Sequence, residues 1–167
     1  VSASSHAEPY VPVFVGDAKN RLEALATKYP TRQALLLPAL WMIQEARGWV
    51  APEAITEVAE QLELTPAYVR GVVSFYTMYH THPVGRHFIQ VCTTSPCNIC
   101  GAEDVVRALL EHTGCGELGA TSADGRFTVA EAECLGACAF ATPLLINDDF
   151  VESVTPEGVP ALLARYT

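Results

Sequence analysis

Six cysteines crowd the second half of this chain, and the first 91 residues hold none. Four of them form two short pairs, Cys92-Thr-Thr-Ser-Pro-Cys97 and Cys134-Leu-Gly-Ala-Cys138. Paired thiols on two separate loops constrain the fold strongly, because they make chemical sense only if the loops meet. Soft thiolates match iron bridged by sulfide, and each iron of a 2Fe-2S rhomb has two terminal positions to fill. The spacing therefore predicts one 2Fe-2S cluster on Cys92, Cys97, Cys134 and Cys138. Pro96 stiffens the first loop, and Gly136 lets the second loop's backbone approach closely. Residues 98–102 lead into a helix and are expected to turn free N–H groups toward the sulfur atoms.

Other ligand sets stay open on spacing alone. Cys92-x4-Cys97-x2-Cys100 also fits the plant-type ferredoxin pattern. That set would leave one member of the Cys134/Cys138 pair without a task. Four cysteines at these spacings also suit zinc, which would make the protein a metal-stabilised binding module. Cys97-x2-Cys100 has the spacing of a thiol–disulfide redox enzyme. A secreted disulfide framework is disfavoured, since 167 residues bury a core and no signal sequence is visible. Cys115 has no partner at motif spacing and reads as a plain thiol.

Charge removes further classes. The net charge is −9 and no cluster of Lys and Arg occurs, which excludes a nucleic-acid binder and a basic membrane-surface helix. No apolar run reaches the length of a membrane span. The chain begins at Val1, so a processed or trimmed product is expected. Gly114-Cys-Gly-Glu-Leu-Gly119 matches G-x-G-x-x-G but follows a helix and precedes a strand, the reverse of the dinucleotide-binding context. His80-Thr-His82 is expected to be an exposed turn. With no P-loop and no nucleophile elbow, nothing in the chain binds NAD or flavin by itself.

The pattern of apolar residues divides the chain into an arm over 1–16, a helical domain over 17–82 and a mixed domain over 83–167. Residues 1–16 are expected to be a loose arm. Asp17 is expected to cap a first helix that Pro30 ends. A second helix runs from about Gln33 to Arg47 and stops at Gly48. Pro52 starts a third, and Thr65-Pro66 starts a fourth that carries Val69, Val72, Val73, Tyr76 and Tyr79. Most aromatic residues of this unit are expected in its core. The period then changes. His87–Cys92 alternates as a strand, Ala102–His112 is helical, and Phe127–Val129 is a strand leading to Cys134. Leu144–Ile146 and Phe150-Val151 flank Asn147-Asp148-Asp149 as a hairpin, and Thr155-Pro156 opens a last helix. The order β-α-β-β-α gives an α+β or α/β fold, a small mixed sheet with flanking helices.

The stretch Gln90-Val-Cys-Thr-Thr-Ser-Pro-Cys97, with Glu133-Cys-Leu-Gly-Ala-Cys138, resembles the thioredoxin-like 2Fe-2S subunit of respiratory complex I, the NADH:quinone oxidoreductase. The likeness includes Gly48-Trp49, Val73-Ser-Phe-Tyr-Thr-Met-Tyr79, Pro83-Val-Gly85 and Ile146-Asn-Asp148. It implies a helical N-terminal domain followed by a thioredoxin-like 2Fe-2S ferredoxin domain, with Cys92, Cys97, Cys134 and Cys138 as ligands. It also implies packing against a flavoprotein subunit that binds FMN and NADH, and against other peripheral-arm subunits. The location implied is the bacterial cytoplasm at the inner face of the membrane, or the mitochondrial matrix side. Related subunits serve NAD-reducing hydrogenases and NAD-dependent formate dehydrogenases. The sequence departs from the family at Cys100 and Cys115, which are extra thiols. Thr142 also stands where many members have Pro, with Pro143 following. An acidic protein holding a negatively charged cluster is expected to have a low reduction potential.

Overall fold

A computed structural model describes residues 10–166. The chain divides into two units between Pro83 and Val84.

The first unit is built from four helices: α1 (Gly16–Ala26), α2 (Leu36–Arg47), α3 (Pro52–Leu62) and α4 (Pro66–Phe75). Their ends follow local chemistry. Gly48 takes a left-handed φ of 81° and stops α2. Pro52 opens α3 and Pro66 opens α4, positions where the missing N–H has no helical partner to lose. The Thr65 hydroxyl accepts from the Tyr68 N–H and caps α4. Leu22, Leu40, Ile43, Val58, Leu62 and Val69 are fully buried between the helices. Each such side chain contributes about 1.5–3 kcal/mol on leaving water.

Four expectations for this unit are corrected. Asp17 lies inside the first turn of α1, and Val15 stands at the cap position. The second helix begins as a 3-10 turn, Arg32–Leu35, before α2. The fourth helix ends at Phe75, so Tyr79 lies beyond it; its ring is still buried and its hydroxyl donates to the Leu37 carbonyl at 2.9 Å. The aromatic residues are mostly not core: Tyr29, Trp41, Tyr68, Phe75 and Tyr76 are exposed. The reason lies in α2 and α4, which are apolar on more than one face. Leu36, Leu40 and Ile43 take the inward face of α2, and Leu37 and Trp41 are left on the outward one.

The loose arm expected over 1–16 lies partly outside the described residues. Within them, Tyr10, Val13 and Phe14 pack on the helical core, while Val11 and Val15 are exposed. Phe14 is buried in the helical core, and its N–H donates to Glu57 Oε1 at 2.6 Å. The Tyr10 hydroxyl donates to the other Glu57 oxygen, and Arg47 lies over the Tyr10 ring and donates to the Val11 carbonyl. Burial and the Glu57 carboxylate both push the Tyr10 phenol up.

The second unit is a four-stranded sheet in the order β2-β1-β3-β4, made of β1 (His87–Cys92), β2 (Phe127–Ala132), β3 (Leu144–Ile146) and β4 (Asp149–Val151). β1 pairs with β2 in parallel and with β3 antiparallel. A parallel pair needs a crossover, and that crossover contains α5 (Ser95–Ile99) and α6 (Ala102–Thr113). Gly114, at φ 72°, ends α6. A short α7 (Val159–Leu163) follows a 3-10 turn capped by Thr155. Ile89, Val91, Val129, Leu144 and Ile146 form one buried face of the sheet, covered by Val105, Leu109, Val159 and Leu162. Alternation along each strand places these residues on that face. The sequence reading missed α5 as a separate helix.

Gly85 enters this unit at a point with no room for a side chain. A Cβ there would lie 2.5 Å from the Phe127 carbonyl carbon. Its N–H donates to the buried Thr128 hydroxyl at 2.7 Å, and Thr128 also bonds Thr121.

Candidate 2Fe-2S site

The site is assembled by strand direction. Because β1 and β2 run parallel, with Cys92 opposite Ala132, both strands release their chains at the same edge of the sheet. Cys92 is the last residue of β1, and Cys134 follows the end of β2 by two residues. Backbone bonds hold the exits in place: the Cys92 N–H donates to the Pro143 carbonyl and the Thr93 N–H to the Ala132 carbonyl, each at 3.3 Å. The peptide bond between Ala141 and Thr142 on the adjoining segment is cis.

Cys97 lies in α5 and is fully buried; Cys92 is also buried, whereas Cys134 and Cys138 are exposed. The Cys92 and Cys97 sulfur atoms are 3.4 Å apart. Two sulfurs sharing one tetrahedral metal at about 2.3 Å stand about 3.8 Å apart. The observed pair is therefore close to the separation that one iron needs. The second loop comes to meet it. The Leu135 N–H bonds the Cys92 sulfur, and Cys138 lies near enough to Cys97 to push its pKa up. Cys92, Cys97 and Ala102 form a small buried cluster with Leu135 and Ala141 packed against it. Gly136, at φ 75°, gives the second loop a left-handed turn that a side chain would strain.

The two buried thiols are polarised in opposite directions. Burial pushes Cys92 up, but hydrogen bonds from the Thr94 hydroxyl, the Thr94 and Leu135 N–H groups and Cys97 outweigh it, and its pKa is lowered to about 7. Burial, then Cys92 and Cys138, push Cys97 up to about 11. Donors gathered on a sulfur stabilise its thiolate, the form that binds metal. Three of the donors expected from residues 98–102 are engaged elsewhere. The N–H groups of Asn98, Cys100 and Gly101 are taken by the carbonyls of Thr94, Pro96, Cys97 and Asn98. Thr94 and Leu135 serve instead. The signal for α5 was present in Thr94-Ser95-Pro96, a Thr-and-Pro start pattern like the one that marks α4.

Cys100 is exposed at the C-terminal end of α5, whereas Cys97 is buried in it. Cys115 is buried on the sheet, with its sulfur 3.4 Å from the Phe127 carbonyl. His80 is held through its backbone: its N–H donates to Gln44 and its carbonyl accepts from Val50. Among the described residues, no group of three or more His, Cys, Asp or Glu side chains is placed to hold a metal ion. The geometry at this site is that of a sulfur pair, which is the number of protein ligands each iron of a rhomb takes.

Comparison with known proteins decides the cofactor class. The model of the thioredoxin-like [2Fe-2S] ferredoxin family matches residues 22–167. This chain belongs to that family. Its cofactor is accordingly a 2Fe-2S cluster, and the thiol donors described above fit it. The chain is 41% identical over 154 residues to NADH-quinone oxidoreductase subunit 2 of Thermus thermophilus, covering 90% of this chain and 84% of that protein. It is 43% identical over 138 residues to a subunit of the NADH-quinone oxidoreductase of Pseudomonas aeruginosa, covering 83% of this chain and 82% of that one. The fold is also found in a chain of an NAD+-reducing [NiFe]-hydrogenase in its H2-reduced state. That match has a TM-score of 0.67 at 24% identity, and covers 79% of this chain and 22% of the other. Among the described residues no helix is long and apolar enough to cross a membrane.

Proposed function

We propose that this chain is the 2Fe-2S electron-transfer subunit of an NADH-quinone oxidoreductase and holds its cluster on Cys92, Cys97, Cys134 and Cys138. The carrying observation is the Cys92–Cys97 sulfur pair, 3.4 Å apart, met by the Cys134–Cys138 loop at the common edge of two parallel strands. The relatives named as oxidoreductase subunits, alike at 41% and 43% identity over most of both chains, support the parent complex. The likeness to a hydrogenase chain is one of fold, which makes a diaphorase role the weaker reading.

A bound 2Fe-2S cluster supplies one-electron storage. The chain's own part is to hold and tune it. Cys92 and Cys97 bind on the buried side, and Thr94 and Leu135 aim hydrogen bonds at the Cys92 sulfur. Cys134 and Cys138 bind on the open side, facing a partner. The partner is the subunit that carries FMN and takes hydride from NADH, with the rest of the peripheral arm around it. In that assembly the chain works on the cytoplasmic or matrix side of a membrane-bound complex. No residue here performs hydride chemistry.

Low-temperature EPR of the dithionite-reduced protein, with iron and acid-labile sulfide counted on the same anaerobic sample, tests the reading. Two irons, two sulfides and a one-electron rhombic signal are expected. A folded, colourless preparation without iron would overturn it.

A further inference from the structure

The surface around the cluster site is organised in a way the ligand set alone does not require. Neither segment that builds the site, 88–102 or 134–147, contains a single Asp, Glu, Lys or Arg. In each, the second cysteine is followed two residues later by a large apolar side chain turned to solvent. Ile99 follows Cys97 and is 86% exposed; Phe140 follows Cys138 and is 52% exposed. Isolated apolar side chains on a surface are common; here two accompany the charge-free segments that carry the proposed ligands. The residues just outside these segments are acidic and exposed: Glu103 and Asp104 at the start of α6, Glu131 and Glu133 before Cys134, and Glu152 beside Ser153, whose N–H bonds the Phe140 carbonyl. Arg107, the first cation after Ile99 in sequence, is paired with Asp104 at 2.8 Å. An uncharged apolar centre with a charged rim is the composition of a protein-docking patch.

We propose that Ile99 and Phe140 are the apolar anchors of the face on which this chain docks its redox partner, and that the partner's matching surface is apolar at the centre and basic at the rim. The inference rests on the electron-transfer role proposed above and adds to it the contact residues and the partner's chemistry. Three points carry it. The buried side of the site, at Cys92 and Cys97, is closed by the protein's own core, so electrons pass through the exposed side. Ile99 and Phe140 are exposed, and each stands two residues after a proposed ligand of one pair. The acidic rim attracts a basic surface and repels a second copy of this acidic chain.

The test uses the cluster-loaded full chain and the purified FMN-carrying subunit of the same complex, with binding and NADH-driven reduction of the 2Fe-2S signal measured together. Ile99→Glu and Phe140→Glu are expected to weaken binding about tenfold or more, as loss of a central anchor does, with the EPR signal of the dithionite-reduced variants unchanged. The double variant Glu131→Lys/Glu133→Lys is expected to slow association and flatten its dependence on salt. If Phe140→Glu disturbs the cluster, Ile99→Glu, at a side chain nearly free in solvent, bears the test alone. Wild-type binding in the anchor variants would overturn the docking face while leaving the electron-transfer role intact. Failure of the wild-type chain to bind or be reduced would overturn both.

Discussion

Cys92 stands opposite Ala132 in the parallel register of β1 and β2, and Cys134 follows only two residues further on. That pairing turns a long separation along the chain into adjacency at one sheet edge. It is the basis of the proposed ligand set. Cys134→Ser and Cys97→Ser should abolish or alter the EPR signal of the reduced cluster and lower the iron content. Cys100→Ser, at an exposed thiol beyond the pair, should leave both unchanged. An unaltered signal in the Cys134 variant would refute the ligand set.

The site lies in an acidic chain of net charge −9, with exposed carboxylates at its rim. Adding an electron there is opposed by the surrounding negative charge. The midpoint potential should fall below about −150 mV, the lower end of the Rieske range. Redox titration followed by EPR measures it. Glu133→Lys should move the potential upward, since it replaces a negative neighbour with a positive one.

Gly85→Ala should destabilise the second unit. The added methyl would collide with the Phe127 backbone, which cannot swing aside as a side-chain tip would. Relief requires moving Gly85 off the Thr128 hydroxyl. Overpacking of this kind costs about 1–3 kcal/mol. Thermal unfolding should show a clearly lower midpoint, and an unchanged one would count against the close approach.

Glu57 ties the segment from Tyr10 to Val15 onto the helical unit. Glu57→Ala should cost about 1–3 kcal/mol, because it leaves the buried Phe14 N–H without an acceptor. Glu57→Gln retains one acceptor oxygen and should cost less. Urea unfolding gives the difference. Limited proteolysis should cut between Tyr10 and Val15 faster in the Ala variant.

His87 gives the second unit a sensitivity to mild acid. Its ring sits between Phe127 and Tyr166, and both ring nitrogens are buried without a hydrogen-bond partner among the described residues. Burial, with Arg86 and Arg126 nearby, lowers its pKa below the ordinary 6.5. The unfolded chain therefore takes up a proton at a pH where the folded chain resists it. The stability associated with the neutral ring is fully present above pH 6.5 and is lost as pH falls toward the lowered folded value. His87→Phe should flatten this part of the stability–pH curve, as read by denaturant midpoints between pH 7 and pH 5. A slope equal to that of the wild type would exclude His87 as its source.

Much of the helical unit was legible because its stops and starts are local. Gly48, Pro52 and Thr65-Pro66 act within a turn of where they sit, and the structure follows them. The exposure of Trp41 and Tyr76 was not legible. Leu37 and Trp41 share the outward face of α2, and hydrophobicity alone does not say which of two apolar faces turns inward. The packing of Tyr10 and Phe14 was missed for a related reason: its anchor, Glu57, lies far along the chain and carries no mark in its own sequence window.

The sequence by itself determined which residues can become soft sulfur ligands, the spacings at which they stand, and that charge is kept away from both loops. Tertiary structure alone decided that the two loops meet, which thiols are sheltered and which face solvent. The physical reason is that ligand chemistry belongs to single side chains, while convergence depends on β1 and β2 running parallel. Strand direction is set by the crossover through α5 and α6 and by the packing beneath the sheet, not by the residues that flank the cysteines.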